Sequence, residues 1–323
     1  MRKVRVLIIV AFLIAGLTAL TFAEEYPAKP ITIVTGMMTG SMSDLANRVI
    51  ADEAKKSLGV EILVQSKPGA AGTVAVSSVI SAPPDGYTLG GTSDGAFLRS
   101  PYMLKLNFNP IQDALPIIIY TKFHNFLVAR QGSPFKTFKD VIDFAKENPG
   151  KLKYGDTGKG TNLYLGFAGL ALKRGFKFSH IPHDGDSAVL LSILGGNIMV
   201  GGLSSGPCVP HIIGGKIRLL AVVDGDKRLE AYPEVPTFSE FGDVIPSPGL
   251  LIFGQKGLAR PIVKKLEEAF SKASQSDTFK KFALGNEVYP LEKPIIDQDL
   301  QDFLKTEYKK TGELYQKLGV KID

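Results

Sequence analysis

Two glycine-rich loops carry the side chains of this sequence that could recognise a small anion. The first loop is Gly36-Met37-Met38-Thr39-Gly40-Ser41-Met42-Ser43, which leads into a helical pattern. The second loop is Gly155-Asp156-Thr157-Gly158-Lys159-Gly160-Thr161-Asn162, which leads into another helical pattern. The first N–H groups of a helix lack partners within the helix, so glycines and hydroxyls at such a place suit an anionic group. Two loops of this kind predict a ligand with two polar ends.

Both loops also have a simpler or a competing interpretation. In the first loop, Ser43 could merely cap the helix while the glycines turn the chain. The second loop matches neither of two nucleotide-binding motifs. No Gly-Lys-Ser/Thr sequence ends it, as in a P-loop, and Gly158-Lys159-Gly160 lacks the third glycine of a dinucleotide-binding fingerprint.

A third segment could support enzymatic chemistry. Gly202-Leu203-Ser204-Ser205-Gly206 fits the G-x-S-x-G pattern of a nucleophile elbow, so a secreted serine hydrolase is an alternative. That fold needs an acid and then a histidine after the serine. Only His211 follows Ser204, and no Asp or Glu lies between them. The sequence therefore lacks the serine, acid and histidine in the order that a catalytic triad of this fold requires, and we expect no catalytic residue.

The histidines of His180-Ile181-Pro182-His183 could suggest a metal site. The proline breaks helical spacing, and no cysteine or third histidine is near. An ordinary strand end is the simpler interpretation, so we expect no metal and no cofactor.

The elements that position these loops are short apolar strands alternating with helical patterns. A strand at 31–35, a helix at 43–58 and a strand at 60–64 form one β-α-β unit. Thr137 and Asp140 form a capping box before a further helix, and the alternation repeats beyond residue 152. This pattern predicts an α/β fold with a mostly parallel sheet and helices on both faces. Ligands of such sheets bind at the carboxyl ends of strands, where both loops lie.

The N-terminus predicts export. Three basic residues precede an uncharged run of about 15 residues, which is shorter than the roughly 20 that span a bilayer. Small residues at positions 21 and 23 complete the pattern of a signal peptide cleaved after Ala23. An uncleaved anchor is the competing interpretation. We expect a periplasmic protein without a nucleotide cofactor.

Charge and size limit the function further. The chain has 38 basic and 32 acidic residues, and losing Arg2, Lys3 and Arg5 leaves 35 against 32, or about +3. This small excess does not favour nucleic-acid binding. Cys208 is the single cysteine, so no intramolecular disulfide can form. About 300 mature residues suggest two compact lobes.

Six short segments of the predicted mature chain occur in a characteristic order. They are Tyr26-Pro27-Ala28-Lys29-Pro30-Ile31, Lys67-Pro68-Gly69-Ala70-Ala71-Gly72, Pro84-Asp85-Gly86-Tyr87-Thr88-Leu89, Asn148-Pro149-Gly150-Lys151-Leu152, Gly158-Lys159-Gly160-Thr161 and Pro210-His211-Ile212-Ile213-Gly214-Gly215-Lys216. Together they resemble the Bug family, the extracytoplasmic receptors of tripartite tricarboxylate transporters. The resemblance covers essentially the whole mature chain.

This resemblance implies a two-lobed α/β fold of the periplasmic-binding-protein type (type II), with a hinged cleft between two doubly wound sheets. Lobe one is expected at 24–123 plus 250–323 and lobe two at 124–249, with crossings near His124 and Leu250. The C-terminal helix is expected to pack on lobe one.

The resemblance also implies which residues bind the ligand. It places binding residues in the first loop, the second loop and the third loop, 183–188. Thr92 and Ser93 at the end of a strand, and the serine of the G-x-S-x-G segment, are added because they could line the same site. The predicted set is Thr39, Gly40, Ser41, Ser43, Thr92, Ser93, Thr157, Thr161, Asn162, His183, Ser187 and Ser204. For His183 a surface histidine, and for the strand-end pair ordinary strand-end hydrogen bonding, are the alternatives.

Two departures from the family pattern concern the ligand. Met37 and Met38 replace prolines, which permits a longer or more apolar ligand. Leu203 replaces a frequent aspartate, which removes a partner for an amino group. We therefore expect an aromatic carboxylate or a di- or tricarboxylate rather than an amino acid.

The predicted function is a monomeric receptor that captures a small carboxylate and delivers it to a membrane permease. A receptor that reports its ligand to a sensor kinase is the alternative within the binding class. Both functions need the same closed form, so the sequence leaves both open.

Overall fold

The strands of this protein form two sheets. The computed structural model describes residues 25–159, 161–242 and 244–318, so the predicted signal peptide and its cleavage after Ala23 lie outside the described residues. One sheet has six strands and the other has five. We call the elements packed on the six-stranded sheet lobe one and those packed on the five-stranded sheet lobe two.

The sheet of lobe one combines early and late segments of the chain. Its strand order is β11-β4-β10-β3-β1-β2. β1 pairs in parallel with β2 and β3, whereas β10 runs antiparallel to β3 and β4, and β11 antiparallel to β4. The strands are β1 Ile31–Thr35, β2 Ile62–Ser66, β3 Thr88–Ser93, β4 Ala114–Phe123, β10 Gly249–Gln255 and β11 Val288–Ile296.

The sheet of lobe two is built from the segment between β4 and β10. Its order is β7-β6-β8-β5-β9. β6 pairs in parallel with β7 and β8, and β5 runs antiparallel to β8 and β9. The strands are β5 Asn125–Arg130, β6 Leu152–Asp156, β7 Phe178–Pro182, β8 Val200–Ser204 and β9 Ile217–Val222.

Both sheets are mixed, so the expectation of a mostly parallel sheet is wrong. The antiparallel pairings come from β4, β5 and β10, which carry the chain between the two sheets. A strand that returns from the other lobe inserts beside partners that are distant in sequence. Local alternation of strands and helices does not reveal such a pairing.

Helices cover both faces of each sheet. Among the described helices, none combines the length and apolar character needed to cross a membrane. The helices are α1 Met42–Leu58, α2 Thr73–Ile80, α3 Gly95–Leu98, α4 Ser100–Met103, α5 Pro110–Asp113, α6 Phe138–Glu147, α7 Asn162–Arg174, α8 Asp186–Leu194, α9 Ser205–Ile213, α10 Arg260–Ser274, α11 Asp277–Gly285 and α12 Asp297–Leu318.

Strand β10 shows how one sheet supports two apolar layers. Leu250 and Ile252 join the cluster that contains α1 and α10, whereas Leu251 and Phe253 join the cluster that contains α2 and α12. Successive side chains of a strand point to opposite faces, so an unbroken apolar run fits a strand buried on both sides. The C-terminal helix packs on lobe one through Leu300 and Leu304.

The helix ends follow the predicted capping chemistry with one correction. Thr137 and Asp140 form the predicted capping box at the start of α6. Helix α1 begins at Met42, and its N-cap is Ser41 rather than Ser43. Ser41 has extended backbone and its hydroxyl accepts from the Asp44 N–H, whereas Ser43 already lies in the first turn.

Asp224 ties together the places where the chain passes between the sheets. β4 ends at Phe123 and β5 starts at Asn125, so His124 is the first link, and the second lies between β9 and β10. The Asp224 carboxylate accepts from the Asn125 N–H and from the Asn125 side-chain amide, at 2.9 Å each. It also lies 2.8 Å from His124 Nδ1 and accepts from the Ser247 hydroxyl at 3.2 Å. Burial raises the Asp224 pKa against the opposing effect of these donors.

Replacing Asp224 should destabilise the protein strongly. In Asp224→Ala the buried donors of His124 and Asn125 lose their acceptor, so we expect the free energy of unfolding to fall by about 3 kcal/mol. Urea unfolding measures this change. Asp226→Asn removes an exposed carboxylate two residues away and should change stability by less than about 0.5 kcal/mol. Equal effects of the two substitutions would contradict this role of Asp224.

Candidate functional site

The N-termini of α1 and α7, which belong to different lobes, line one small cavity. We call it the inner cavity; its volume is about 40 Å³. Its lining residues are Met37, Ser41, Met42, Ser43, Ser93, Arg99, Phe123, Asn125, Thr157, Thr161, Asn162, Leu163, Asp186, Ser204 and Pro248. Hydroxyls and amides thus meet at the positive ends of two helices.

On the lobe-one side, the first loop already uses part of its hydrogen-bonding capacity. The Gly40 N–H donates to Asp44 Oδ2 at 2.9 Å, and Arg48 pairs with the same carboxylate. Ser41 Oγ accepts from the Asp44 N–H at 3.3 Å. The Ser41 and Ser43 side chains remain on the cavity wall, where they can still donate through their hydroxyl hydrogens.

On the lobe-two side, Thr161 and Asn162 open helix α7. Thr161 Oγ1 accepts from the Tyr164 N–H at 3.3 Å and donates to the Gly158 carbonyl at 2.8 Å. The Asn162 amide nitrogen donates to the Pro246 carbonyl at 2.6 Å. Its Oδ1 is buried and has no hydrogen-bond donor in the structure. This acceptor is available to a ligand or a water molecule.

A second, larger cavity adjoins the first. We call it the outer cavity; its volume is about 340 Å³, and it shares Met37 and Thr157 with the inner cavity. His183 lines it and makes a 2.8 Å contact from Nδ1 to the Ile181 carbonyl. His180 also lines it, with Nε2 2.7 Å from Asp156 Oδ1. Within the described residues, no group of three or more His, Cys, Asp or Glu side chains could hold a metal ion.

The structure brings most of the predicted site residues together. Seven of them line the inner cavity, namely Ser41, Ser43, Ser93, Thr157, Thr161, Asn162 and Ser204. Thr157 also lines the outer cavity together with His183. The two cavities therefore account for eight of the predicted side chains.

Four predicted residues line neither cavity. The exposed Thr39 accepts through its carbonyl from Ser187 Oγ at 3.4 Å, so these two residues form a contact between the lobes. The Gly40 N–H is bonded to Asp44. Thr92 is buried, and its Oγ1 lies 3.0 Å from where a Cβ on Gly72 would stand.

Sequence reasoning missed Asp186, the carboxylate of the inner cavity. It is 6% exposed, begins helix α8, and accepts from the Ser204 N–H at 3.2 Å, from the Ser204 hydroxyl and from the Met42 N–H. Burial raises its pKa, and these donors oppose the shift. Met42 belongs to lobe one, so an acidic side chain of lobe two occupies the N-terminus of α1. Only its place in the third loop, three residues after His183, could have drawn attention to it.

The inference from Leu203 therefore needs correction. Leu203 is fully buried in the apolar core of lobe two, as its position in β8 requires. A carboxylate nevertheless reaches the cavity, because Asp186 supplies one from a different element. Absence of an acidic residue at position 203 does not leave the cavity without an acid.

The two lobes touch each other around the inner cavity. A Cβ on Gly185, whose φ is +140°, would stand 3.2 Å from the Met38 Cβ, so this glycine permits the approach of the third loop to the first. Ser205 Oγ of lobe two donates to the Glu287 carbonyl of lobe one at 3.0 Å. The structure thus shows the lobes in a closed arrangement.

The family model described as "Tripartite tricarboxylate transporter family receptor" matches residues 46–320. The chain is 35% identical over 309 residues to the "UPF0065 protein in gbd 5'region" of Cupriavidus necator, an alignment that covers 95% of this chain and 93% of the relative. Proteins of this family are solute-binding receptors and not enzymes, so the hydrolase interpretation of Ser204 is wrong.

Solved structures show the same fold. The periplasmic binding protein BugD superposes with a TM-score of 0.87 at 24% identity, covering 92% of this chain and all of BugD. MatC from Rhodopseudomonas palustris with bound malate superposes with a TM-score of 0.81 at 23% identity, covering 90% of this chain and 99% of MatC. These structures confirm the predicted α/β fold with two sheets. With the family match, they establish that this chain belongs to the Bug and TctC family of periplasmic solute-binding receptors.

Proposed function

We propose that this protein captures a small carboxylate between its lobes and delivers it to the permease of a tripartite tricarboxylate transporter. One observation carries the proposal: the N-termini of α1 and α7, from opposite lobes, line the same buried cavity together with six hydroxyl-bearing predicted residues and an amide. Unpaired backbone N–H groups and the helix dipoles favour negative charge at this place.

The ligand class follows from the lining of the cavity. The predicted polar residues there are Ser41, Ser43, Ser93, Thr157, Thr161, Asn162 and Ser204, which suit the oxygens of a carboxylate. Met37, Phe123 and Leu163 supply apolar surface for a carbon skeleton. MatC, which has the same fold, holds malate, and this supports a di- or tricarboxylate or an aromatic carboxylate as the ligand.

Binding requires that the lobes separate and close again. The inner cavity, at about 40 Å³, is far smaller than the roughly 300–1,000 Å³ of typical ligand sites. We propose that lobe one, 24–123 plus 250–323, and lobe two, 124–249, move about the segment held by Asp224. The ligand then selects the closed form because it contacts both lobes.

The setting of this activity is the periplasm, after cleavage of the signal peptide behind Ala23. The receptor acts as a monomer in this proposal. A receptor for a sensor kinase uses the same closed form; deletion of the permease genes separates the two functions, since it abolishes uptake only if the receptor serves transport.

Carboxylates should raise the melting temperature of the purified receptor, whereas sugars should not. A ligand at 100 times its dissociation constant adds about 2.7 kcal/mol, which gives a clear shift. Ser41→Ala and Thr161→Ala should each reduce this shift, because these residues line the inner cavity and cap the two helices whose N-termini meet there. Thermal unfolding with a panel of mono-, di- and tricarboxylates, aromatic acids, amino acids and sugars measures the effect.

The control for these variants is Thr137→Ala. Thr137 also caps a helix, α6, but it does not line the inner cavity. All three substitutions should lower stability without ligand by about 1 kcal/mol. Only Thr137→Ala should keep the full ligand-induced shift, and an equal response of all three variants would contradict the proposed site.

The charge of Asp186 affects the affinity for the proposed ligand. Its carboxylate accepts the Met42 N–H at the place where the proposed ligand charge would be stabilised. Two like charges in one small cavity repel each other, so ionised Asp186 weakens binding of an anion. Because burial raises the Asp186 pKa, this side chain gains a proton, and loses its charge, at a higher pH than a free carboxyl.

Affinity for a carboxylate should therefore rise as the pH falls and Asp186 gains its proton, over the range in which the ligand itself stays ionised. Asp186→Asn should remove much of this pH dependence, and it should raise affinity roughly tenfold at a pH where Asp186 of the unaltered receptor is ionised. Isothermal titration calorimetry at several pH values measures both effects.

Asp184→Asn is the matched control, because it removes an exposed carboxylate of the same loop. It should leave the pH dependence of affinity unchanged. Weaker binding in Asp186→Asn, above all weaker binding of an amino acid, would mean that Asp186 holds a cationic group of the ligand and would contradict the account of repulsion.

A further inference from the structure

A buried arginine lies where the inner cavity meets a third cavity. This third space, which we call the C-terminal cavity, has a volume of about 450 Å³ and lies between both lobes and helix α12, with Phe303, Lys310 and Leu314 in its lining. Arg99 and Asn162 line both this cavity and the inner cavity. The two cavities therefore adjoin at Arg99 of lobe one and Asn162 of lobe two.

The Arg99 side chain is held in place from one side. It lies between α3 and α4 and is 5% exposed. One of its terminal nitrogens pairs with the Asp94 carboxylate, and Asp94 also accepts from the Gly249 N–H at 3.0 Å. Because Asp94 follows β3 and Gly249 starts β10, two paired strands fix the position of the guanidinium.

Another donor of Arg99 has no partner. Its Nε is buried and finds no hydrogen-bond acceptor. A buried charged donor without an acceptor is unfavourable, so such a group commonly marks the position of a ligand or an ordered water molecule. Among the described residues that line the inner cavity, Arg99 is the one with a permanent positive charge, whereas Asp186 is the acidic one.

We infer that Arg99 binds the second acidic group of a dicarboxylate whose first carboxylate lies at the N-termini of α1 and α7. This inference rests on the proposed function and makes the ligand class narrower. A guanidinium presents a planar set of donors that matches a carboxylate, and Asp94 leaves Nε for the ligand. Arg99 is thus a specificity residue, and Asp94 is its positioning residue.

The test compares ligands of equal chain length with one or two carboxylates: succinate with butyrate, glutarate with pentanoate, and adipate with hexanoate. Isothermal titration calorimetry on the purified receptor should show at least one dicarboxylate binding about tenfold or more tightly than its monocarboxylate partner, the size expected for a charge-assisted hydrogen bond.

Two variants examine the role of Arg99 itself. Asp94→Asn with Arg99→Gln removes both charges together, so that no buried charge is left unpaired. Arg99→Lys keeps the positive charge but removes the Nε donor. In either variant the preference for the dicarboxylate over its monocarboxylate partner should fall to within about twofold.

Lys310→Gln is the control, since this lysine lines the C-terminal cavity but is exposed and pairs with Glu307. It should keep the full preference. Equal binding of both ligands by the unaltered receptor, or an unchanged preference in the Arg99 variants, would overturn the inference. Binding of monocarboxylates that depends on Ser41 and Thr161 would then leave the proposed function standing, whereas no binding of any carboxylate would overturn both.

Discussion

The arrangement that the site depends on is the meeting of two helix N-termini across a buried cavity. Each N-terminus carries partial positive charge and N–H groups without partners inside the helix. Bringing two such ends together, away from water, is favourable only with negative charge between them. In this structure the Asp186 carboxyl accepts from the Met42 N–H at the start of α1 and from the Ser204 hydroxyl. An acidic side chain of lobe two thus contacts the N-terminus of α1 in lobe one.

This arrangement gives the other features of the cleft a common explanation. The loops before α1 and α7 contain glycines and hydroxyls, which let the chain approach the cavity closely and, in the proposed function, bind the carboxylate. Gly185 allows the third loop to touch the first. Asp224 holds the segments that connect the lobes, and in the proposed function the lobes move about these segments. In the proposed function Asp186 and a ligand carboxylate compete for one end of this cavity, and Arg99 lies where the cavity adjoins the C-terminal cavity.

Parts of the fold and of the candidate site could be predicted from the sequence wherever a short stretch of residues indicates the structure. The loop at 36–43 can be predicted to precede a helix, because its glycines and hydroxyls come before an amphipathic pattern. The capping box of Thr137 with Asp140 can be predicted from a short sequence motif. Neither the mixed sheets nor the two charged residues of the cavity have such a signal. β10 pairs with strands more than 100 residues earlier in the chain. Asp186 resembles any acidic residue at a helix start, and Arg99 lies between two short helices without periodicity. Tertiary packing alone brings them to the cavity.

A crystal structure of the receptor with succinate tests the central claim most directly. The account predicts a carboxylate that contacts Ser41 at the start of α1 and Thr161 at the start of α7 at once, with the lobes closed and Asp186 no longer bound to the Met42 N–H. Succinate held in the outer cavity beside His183, with Asp186 still seated on α1, would contradict it. In that case the two helix N-termini would serve to join the lobes and not to bind the ligand.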